Sequence, residues 1–172
     1  MINIRLLQAT DAVEFRNLRL LSFQESPLGF SESYEDESKR PLSDFEEEII
    51  PIGSPPTYYI LGAFLENQLV GFVKFKRDKR SKALHKSMVH AMYTKPELRN
   101  QGIGKLLMEE LIRRAEAMPG LEQIHLWVLH TDRSASGFYQ RLGFIPQGPM
   151  VKKDLKVGDQ YIDAEYLVLY FQ

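Results

Sequence analysis

Two glycines stand at the start of an amphipathic segment, in the run Arg99-Asn100-Gln101-Gly102-Ile103-Gly104-Lys105. Free backbone N–H groups at a helix start, together with the positive end of the helix dipole, bind the oxygens of phosphate groups. Glycine lets the backbone approach such an anion closely because it has no side chain. The run lacks the Gly-Lys-Ser/Thr of a P-loop and the third glycine of a dinucleotide-binding fingerprint. It therefore indicates a phosphate-binding turn of another kind.

Two further motifs flank this turn in the chain. The first is Met92-Tyr93-Thr94-x-Pro96, and the second is Asp132-x-x-Ala135-x-x-Phe138-Tyr139-x-x-x-Gly143-Phe144. Together with Arg99-x-x-Gly102-x-Gly104 they resemble the motifs of the GNAT N-acetyltransferase family. The resemblance covers essentially the whole chain and is strongest from Met88 to Phe144. The family usually has asparagine where this chain has Asp132, and an aspartate cannot donate a hydrogen bond as the amide can.

The resemblance implies acetyl-CoA as cosubstrate and a set of residues that bind it. The backbone from Arg99 to Lys105 would bind the pyrophosphate, and Met92, Tyr93 and Thr94 would lie along the pantetheine arm, with Asp132 as a further contact. A backbone N–H near Tyr93 or Thr94 would stabilise the oxyanion. Tyr139 would protonate the departing thiolate as a general acid, although a tyrosine beside another aromatic residue on a helix is also explained by packing.

Transfer to an amine also requires a general base, because an alkyl amine is mostly protonated near neutral pH. His90 is the first choice, since imidazole titrates near physiological pH and similar enzymes carry a histidine at a comparable place on this strand. Glu32, Glu35 and Asp163 compete for this role, and the acidic stretch from Glu25 to Glu48 could attract a cationic amine. The chain has no cysteine to hold the acetyl group, so we expect direct transfer in a ternary complex.

A basic cluster precedes the strand that ends at Thr94, and it consists of Lys74, Lys76, Arg77, Lys79, Arg80, Lys82 and Lys86. We interpret it as an exposed hairpin whose charges prevent edge-to-edge strand pairing, with contact to the CoA 3'-phosphate or to a polyanion as alternatives. The net charge of -1 and the lack of interleaved aromatic residues argue against nucleic acid as a partner. The four histidines reproduce no zinc-ligand spacing, so no metal is expected.

These residues need a scaffold that brings strand ends and helix starts together. Hydrophobic periodicity predicts a strand at Ile2 to Leu6, a helix after Thr10 or Asp11, an acidic helix after Pro41, two strands around Glu66-Asn67-Gln68 and a strand at Ser87 to Thr94. Beyond Pro96 it predicts a helix at Ile103 to Met118, a strand at Ile124 to Leu129, a helix at Asp132 to Arg141 and strands near Ile145 to Leu155 and Gln160 to Tyr170. The first four strands should form an antiparallel meander, and the central strand-helix-strand crossover implies a parallel pair.

Length and composition set the class of protein. A chain of 172 residues that is 44% hydrophobic can bury one core, so a single domain over residues 1–172 is expected. The absence of cysteine, of a signal peptide and of an apolar run approaching the roughly 20 residues that span a bilayer predicts a cytoplasmic protein with no membrane partner. The expected fold is α/β, with a mixed, largely antiparallel seven-stranded twisted sheet flanked by about four helices.

The predicted function is acetyl-CoA-dependent N-acetylation of an amine. Two alternatives stay open: a non-catalytic acyl-CoA-binding or regulatory module, and an acyltransferase that uses another acyl group or a hydroxyl acceptor. The acceptor is open among polyamines, amino acids, antibiotics, peptide N-termini and protein lysines. Dimerisation is common in similar proteins, so a homodimer is one expected state.

Overall fold

The computed structural model describes residues 1–131 and 134–172. Within them the strands are β1 Ile2–Leu6, β2 Tyr58–Leu65, β3 Gln68–Arg77, β4 Lys86–Thr94, β5 Gln123–Leu129, β6 Ile145–Pro146, β7 Val151–Val157 and β8 Gln160–Tyr170. The α-helices are α1 Ala12–Glu25, α2 Tyr34–Lys39, α3 Leu42–Glu48, α4 Ile103–Glu116 and α5 Ser134–Arg141. The strands form one sheet in the order β1-β2-β3-β4-β5-β8-β6, with β7 paired to β8.

The predicted α/β class and the mostly antiparallel sheet are confirmed, while the described residues contain eight strands and five α-helices. The additional helix arises because the acidic segment is interrupted before Pro41, where Arg40 is extended with ψ of 131°. A residue that precedes proline is disfavoured in the helical region. The additional strand arises because the chain turns at Gly148, whose φ of 152° lies in a region that favours glycine.

The antiparallel meander of β1 to β4 is confirmed by the pairing of each strand with the next. A tight turn joins β2 to β3 through Glu66 and Asn67, which have φ of 49° and 68°. Two successive residues with positive φ are typical of a hairpin turn that matches the twist of the strands. The meander places β3 and β4 side by side in the middle of the sheet.

A β-bulge in β4 decides which way its side chains point. Lys74 of β3 lies opposite Ala91, whereas Phe75 lies opposite Val89, so His90 is an additional residue in the strand. Before the bulge, Val89 packs in the core beneath α4, and after it Ala91 and Tyr93 pack in the core beneath α1. An additional residue shifts the two-residue alternation of a strand by one. The bulge therefore reverses which side chains of β4 point to each face of the sheet. This reversal comes just before Met92 to Thr94, the segment predicted to lie along the cofactor.

The sheet opens between β4 and β5. These two strands are parallel, and their pairing runs only from Lys86 opposite Gln123 to Val89 opposite Leu126. Beyond that point β5 continues to pair with β8 as far as Leu129, while β4 leaves it. A gap therefore opens beside the end of β4.

Two hydrophobic cores, one on each face of the sheet, hold the helices. On one face α4 buries Leu107, Leu111 and Ala115 completely, and on the other Phe15 of α1 meets the Phe72 ring edge-on at 5.3 Å between centroids. Full burial of such a side chain contributes about 1.5–3 kcal/mol. None of the helices in the described ranges combines the length and apolar character needed to cross a bilayer.

Candidate active site

The start of α4 leaves its first backbone N–H groups without a side-chain cap. Gly102 precedes the helix with φ of 82°, and nothing lies within 4 Å of the place that a Cβ would occupy there. Asn100 also has a positive φ, of 61°. The turn therefore presents free N–H donors and the positive end of the α4 dipole to open space, which suits an anionic phosphate group.

A cleft of about 750 Å³, called here the cofactor cleft, extends from this turn along the end of β4 to α5. The predicted cofactor-binding residues that line it are Met92, Tyr93, Thr94, Arg99, Asn100, Gly102, Ile103, Gly104 and Lys105. Gln101 is not among the lining residues, and its side-chain amide donates a hydrogen bond to the Glu97 carbonyl oxygen at 3.3 Å. Asp132 lies outside the described residues.

Two details of the cofactor cleft fit a thin pantetheine arm with amide groups. The first turn of α4 packs against Met92, because a Cβ on Gly104 would come within 2.7 Å of the Met92 Cε atom. The Thr94 hydroxyl oxygen is buried and has no hydrogen-bond partner within the described chain. A buried polar group without a partner is costly, so a polar ligand group beside Thr94 would be stabilising.

Arg99 joins the phosphate-binding turn to the end of α1. Its guanidinium donates hydrogen bonds of 3.0 and 2.5 Å to the two carboxylate oxygens of Glu25 and one of 3.2 Å to the Thr94 carbonyl oxygen. The hydrogen bonds from Arg99 lower the pKa of Glu25. Sequence reasoning missed Glu25 as a neighbour of this turn, because the two residues are 74 positions apart.

A second cleft of about 520 Å³, called here the acceptor cleft, is lined by residues 88–92 of β4 and 126–129 of β5. It shares five lining residues with the cofactor cleft, namely Gly29, Phe30, Met92, Ala135 and Tyr139. The two clefts are therefore continuous. Tyr139 and Met92 stand where they meet.

The Tyr139 hydroxyl lies 3.5 Å from the Met92 sulfur. Its ring packs edge-on against Phe138 and Phe144, with centroids 5.1 and 5.8 Å away. Burial raises the pKa of Tyr139 to about 12, because the phenolate would lose hydration. Tyr139 therefore carries its proton at neutral pH at the junction of the clefts.

His90, the bulge residue of β4, lines the acceptor cleft. Partial burial lowers its pKa from the usual 6.5, and the positive charges of Lys76 and Lys74 lower it further, while Glu32 opposes this effect. The imidazole is therefore neutral near pH 7 and has a nitrogen free to accept a proton.

Among the predicted acidic residues, Glu32 is the one that lines the acceptor cleft. One of its carboxylate oxygens lies 3.5 Å from the Arg19 guanidinium, and the other accepts a hydrogen bond of 3.0 Å from the Ser31 hydroxyl. Arg19 is only 1% exposed and packs over the rings of Phe23 and Phe30. A buried cation thus holds the Glu32 carboxylate in place at the cleft.

Glu35 and Asp163 line neither of these two clefts. Glu35 is exposed on α2. Asp163 accepts hydrogen bonds of 2.9 Å from the Lys152 ammonium and the Lys153 backbone N–H, within the β7–β8 hairpin. Sequence reasoning could not separate these two acids from Glu32, because their distances from His90 depend on how the loops return to the sheet.

The structure adds Asp154 and Phe30 to the acceptor cleft, neither of which was predicted as a site residue. Trp127 also lines it, with 45% of its surface exposed, so this residue is a wall of the cleft rather than part of the core. No local pattern marks Asp154 or Phe30, because both reach the cleft from segments distant in sequence from β4.

The interpretation of the basic cluster as edge protection is wrong. The two strands that flank it, β3 and β4, are each paired with a neighbour on both sides in the sheet. Neither of them is therefore an edge strand that needs protection from pairing. The exposed part of the cluster lies around the beginning of β4, eight residues and about 26 Å before Thr94, since Lys74, which is opposite Ala91, is buried and paired with Glu48. It is thus far from the phosphate-binding turn, which argues against contact with the 3'-phosphate.

Comparison with known proteins agrees with this geometry. Residues 14–144 match the model of the acetyltransferase (GNAT) family. An acetyltransferase of the GNAT family from Streptococcus pneumoniae is 22% identical, with a TM-score of 0.85 and 100% of each chain covered. A Salmonella typhimurium protein solved with its cofactor acetyl-CoA is 14% identical, with a TM-score of 0.80, and 100% of this chain and 95% of that chain are covered.

A third solved structure is the ribosomal-protein-S18-alanine N-acetyltransferase from Escherichia coli. It is 18% identical with a TM-score of 0.72, and 99% of this chain and 94% of that chain are covered. At these identities the structural similarities show the fold alone. The match to the family model shows which family the chain belongs to, because it spans well over half of the chain. The chain belongs to the acetyltransferase (GNAT) family, whose members use acetyl-CoA.

Proposed function

We propose that this protein transfers the acetyl group of acetyl-CoA directly to an amine. The observation that carries the proposal is that the cofactor and acceptor clefts meet at Tyr139 and Met92. Acetyl-CoA would supply an activated acetyl group, with its phosphates at the start of α4 and its arm along Met92 to Thr94. An amine in the acceptor cleft would then face the acetyl group from the side of His90.

Glu32 and His90 would prepare the amine for attack. The Glu32 carboxylate, fixed by Arg19 and Ser31, can attract and orient an ammonium group at the cleft. The neutral His90 imidazole can then take one proton from it, directly or through a water molecule. We assign the orienting role to Glu32 because its carboxylate is salt-bridged to Arg19, and the role of base to His90 because its pKa is lowered.

Tyr139 would return a proton to the sulfur as the thioester breaks. A tyrosine pKa of about 12 exceeds the pKa of an ordinary thiol, which is about 8.5. Burial in the same place would also raise the pKa of the departing thiol, which would narrow the difference between the two pKa values. The presence of Tyr139 where the two clefts meet, and of His90 along the acceptor cleft, favours catalysis over a module that only binds acyl-CoA.

The test is an acceptor screen with matched amines and alcohols of the same carbon skeleton. Purified protein, acetyl-CoA and each acceptor would be incubated, with release of free CoA followed by a thiol reagent and products identified by mass spectrometry. We expect amide products from amines and no ester from the matching alcohols. Ester formation, or CoA release without an acetylated product, would count against N-acetylation.

A further inference from the structure

A third cleft, of about 460 Å³, continues from the acceptor cleft along the beginning of β4. The two clefts share Met88 and His90. Five basic side chains and a single acid, Asp78, line this basic cleft, and the basic residues are Lys76, Arg77, Lys79, Arg80 and Lys86. A strongly positive region therefore adjoins the cleft proposed to hold the amine.

Three of the five cations are unpaired within the described chain, and two of them, Lys76 and Lys79, also line a neighbouring cleft with Asp44, Glu47 and Glu48. Arg77 donates hydrogen bonds to the Leu84 and Pro119 carbonyl oxygens, and Arg80 pairs with Asp78. Within residues 1–131 and 134–172, Lys76, Lys79 and Lys86 form no ion pair and no side-chain hydrogen bond. Unpaired cations gathered in one cleft attract an anionic partner and discriminate against a cationic one.

The spacing of two of these lysines indicates what kind of anion fits. Lys76 lies opposite Met88 in the β3–β4 ladder, and Lys86 precedes Met88 by two positions, so both lysines point to the same face. Diagonal neighbours of this kind are about 7–8 Å apart. Side chains on one face of an extended peptide recur about every 6.6 Å. The backbone positions of the two lysines are therefore spaced about as far apart as two side chains on one face of an extended segment, so each lysine can reach a separate acidic side chain.

We infer that the basic cleft binds acidic side chains of a peptide or protein acceptor whose amine enters the acceptor cleft. This inference rests on the proposed N-acetylation and names the class of its acceptor. Nucleic acid fits less well, because the aromatic residue of the cleft, Tyr166, is hydrogen-bonded to His125 and packs against Trp127 at 4.7 Å, so its ring is not free for stacking on bases.

The test measures binding separately from turnover. Two fluorescent peptides of equal length would each carry one free amine followed by alternating glutamates or alternating glutamines, and their affinity for the protein saturated with CoA would be measured by anisotropy. The variants are Lys76→Glu combined with Lys86→Glu, and Lys82→Glu as a matched control from the same basic segment but outside the cleft. Binding is the readout because Lys76 also influences His90.

We expect wild type to bind the glutamate peptide about tenfold more tightly, as two or three exposed ion pairs would provide. The preference should disappear in the double variant and in 0.5 M salt, and persist in Lys82→Glu. Equal affinity for both peptides, an unchanged preference in a folded double variant, or tighter binding of a phosphorylated small amine or an RNA oligonucleotide would overturn the inference. Mass spectrometry of the bound glutamate peptide separates the two proposals: selective binding without acetylation supports the cleft and contradicts the proposed transfer.

Discussion

Burial acts in opposite directions on the two residues proposed to move protons. It raises the pKa of Tyr139, whose charged form is an anion, and lowers the pKa of His90, whose charged form is a cation. At neutral pH the tyrosine therefore has a proton to give, and the histidine has a site to receive one. The two shifts thus suit proton transfer from the tyrosine and to the histidine.

Replacing Tyr139 by phenylalanine removes the proton donor and keeps the ring that packs against Phe138 and Phe144. We expect kcat to fall by about 10²–10³, as for loss of a general acid, with the acetyl-CoA dissociation constant changed by less than about twofold. Steady-state CoA release and calorimetry would measure the two quantities. Tyr161→Phe is the control, because Tyr161 is exposed and lies outside both clefts. Wild-type turnover in Tyr139→Phe would show that this tyrosine only packs.

Replacing His90 by glutamine should change the dependence of rate on pH. In the wild type, kcat/KM should fall as the pH drops through the pKa of His90, which lies below 6.5, since protonated imidazole cannot act as a base. An acceptor amine titrates at about pH 8 if it is an α-amino group and at about pH 10 if it is a lysine-like amine, so its effect appears as a separate inflection on the alkaline side. His90→Gln should lose the acidic inflection and keep the alkaline one. The control is His85→Gln, which alters a histidine outside the acceptor cleft and should keep both inflections. An unchanged acidic inflection in His90→Gln would show that another residue is the base.

At the scale of elements, the start of α4 is held from three directions. Ile103 enters the core, Gly104 lies against Met92, and Arg99 ties the preceding turn to Glu25 at the end of α1. The turn is thus positioned before any ligand binds, which lowers the entropy cost of binding phosphate. The bulge at His90 has a similar effect on β4, since it sets the faces to which Met92 and Tyr93 point.

A carboxylate at Gly102 should abolish cofactor binding while the protein stays folded. Gly102→Glu places a negative charge beside the free N–H groups of α4, and we expect acetyl-CoA affinity to fall by about a hundredfold or more in calorimetry. Gly158→Glu is a matched control. Gly158 also has positive φ, of 58°, and open space around its Cβ position, but it lies in the β7–β8 turn, away from the cofactor cleft. Equal loss of affinity in both variants would trace the effect to backbone strain.

At the scale of the whole molecule, ion pairs between distant segments join the helices to the sheet. Lys74 of β3 pairs with Glu48 of α3, and Arg5 of β1 donates hydrogen bonds of 2.7 and 2.8 Å to Asp11 before α1. The pKa values of Glu48 and Asp11 are lowered, in the case of Asp11 chiefly by the hydrogen bonds from Arg5.

The cytoplasmic location and the homodimer stay predictions from composition and family resemblance.

These shifts predict that the protein loses stability on the acidic side. Because the carboxylate pKa values are lowered in the folded state, their stabilisation is present above the ordinary values of 4.5 for Glu48 and 3.8 for Asp11, and it is lost progressively as the pH falls below these values towards the lowered ones. The pKa of His125 is also lowered, so a decline begins below pH 6.5, where the unfolded chain binds a proton more readily. Urea unfolding from pH 7.5 to 2 would measure both phases.

Asp11→Asn should flatten the lower phase and cost about 1 kcal/mol at pH 7, because it removes a charged hydrogen-bond acceptor from Arg5. Asp44→Asn is the control, since Asp44 is exposed and its closest basic contact is Arg40 at 3.8 Å. A profile that is flat between pH 7.5 and 2 in the wild type would contradict the assignment of stabilising roles to these groups.

The sequence by itself determined the elements and the phosphate-binding turn. Alternation with a period of two or 3.6 residues is a local property, so the strands, α4 and the parallel crossover were predicted, and the glycines at Gly102 and Gly104 define the turn within one short segment. Only the tertiary structure decided that Glu32 rather than Glu35 or Asp163 lines the acceptor cleft, that His90 is a bulge, and that five residues of the basic cluster line a cleft beside the start of β4. The physical reason is that register, bulges and loop return depend on packing between segments distant in the chain, which no local periodicity records.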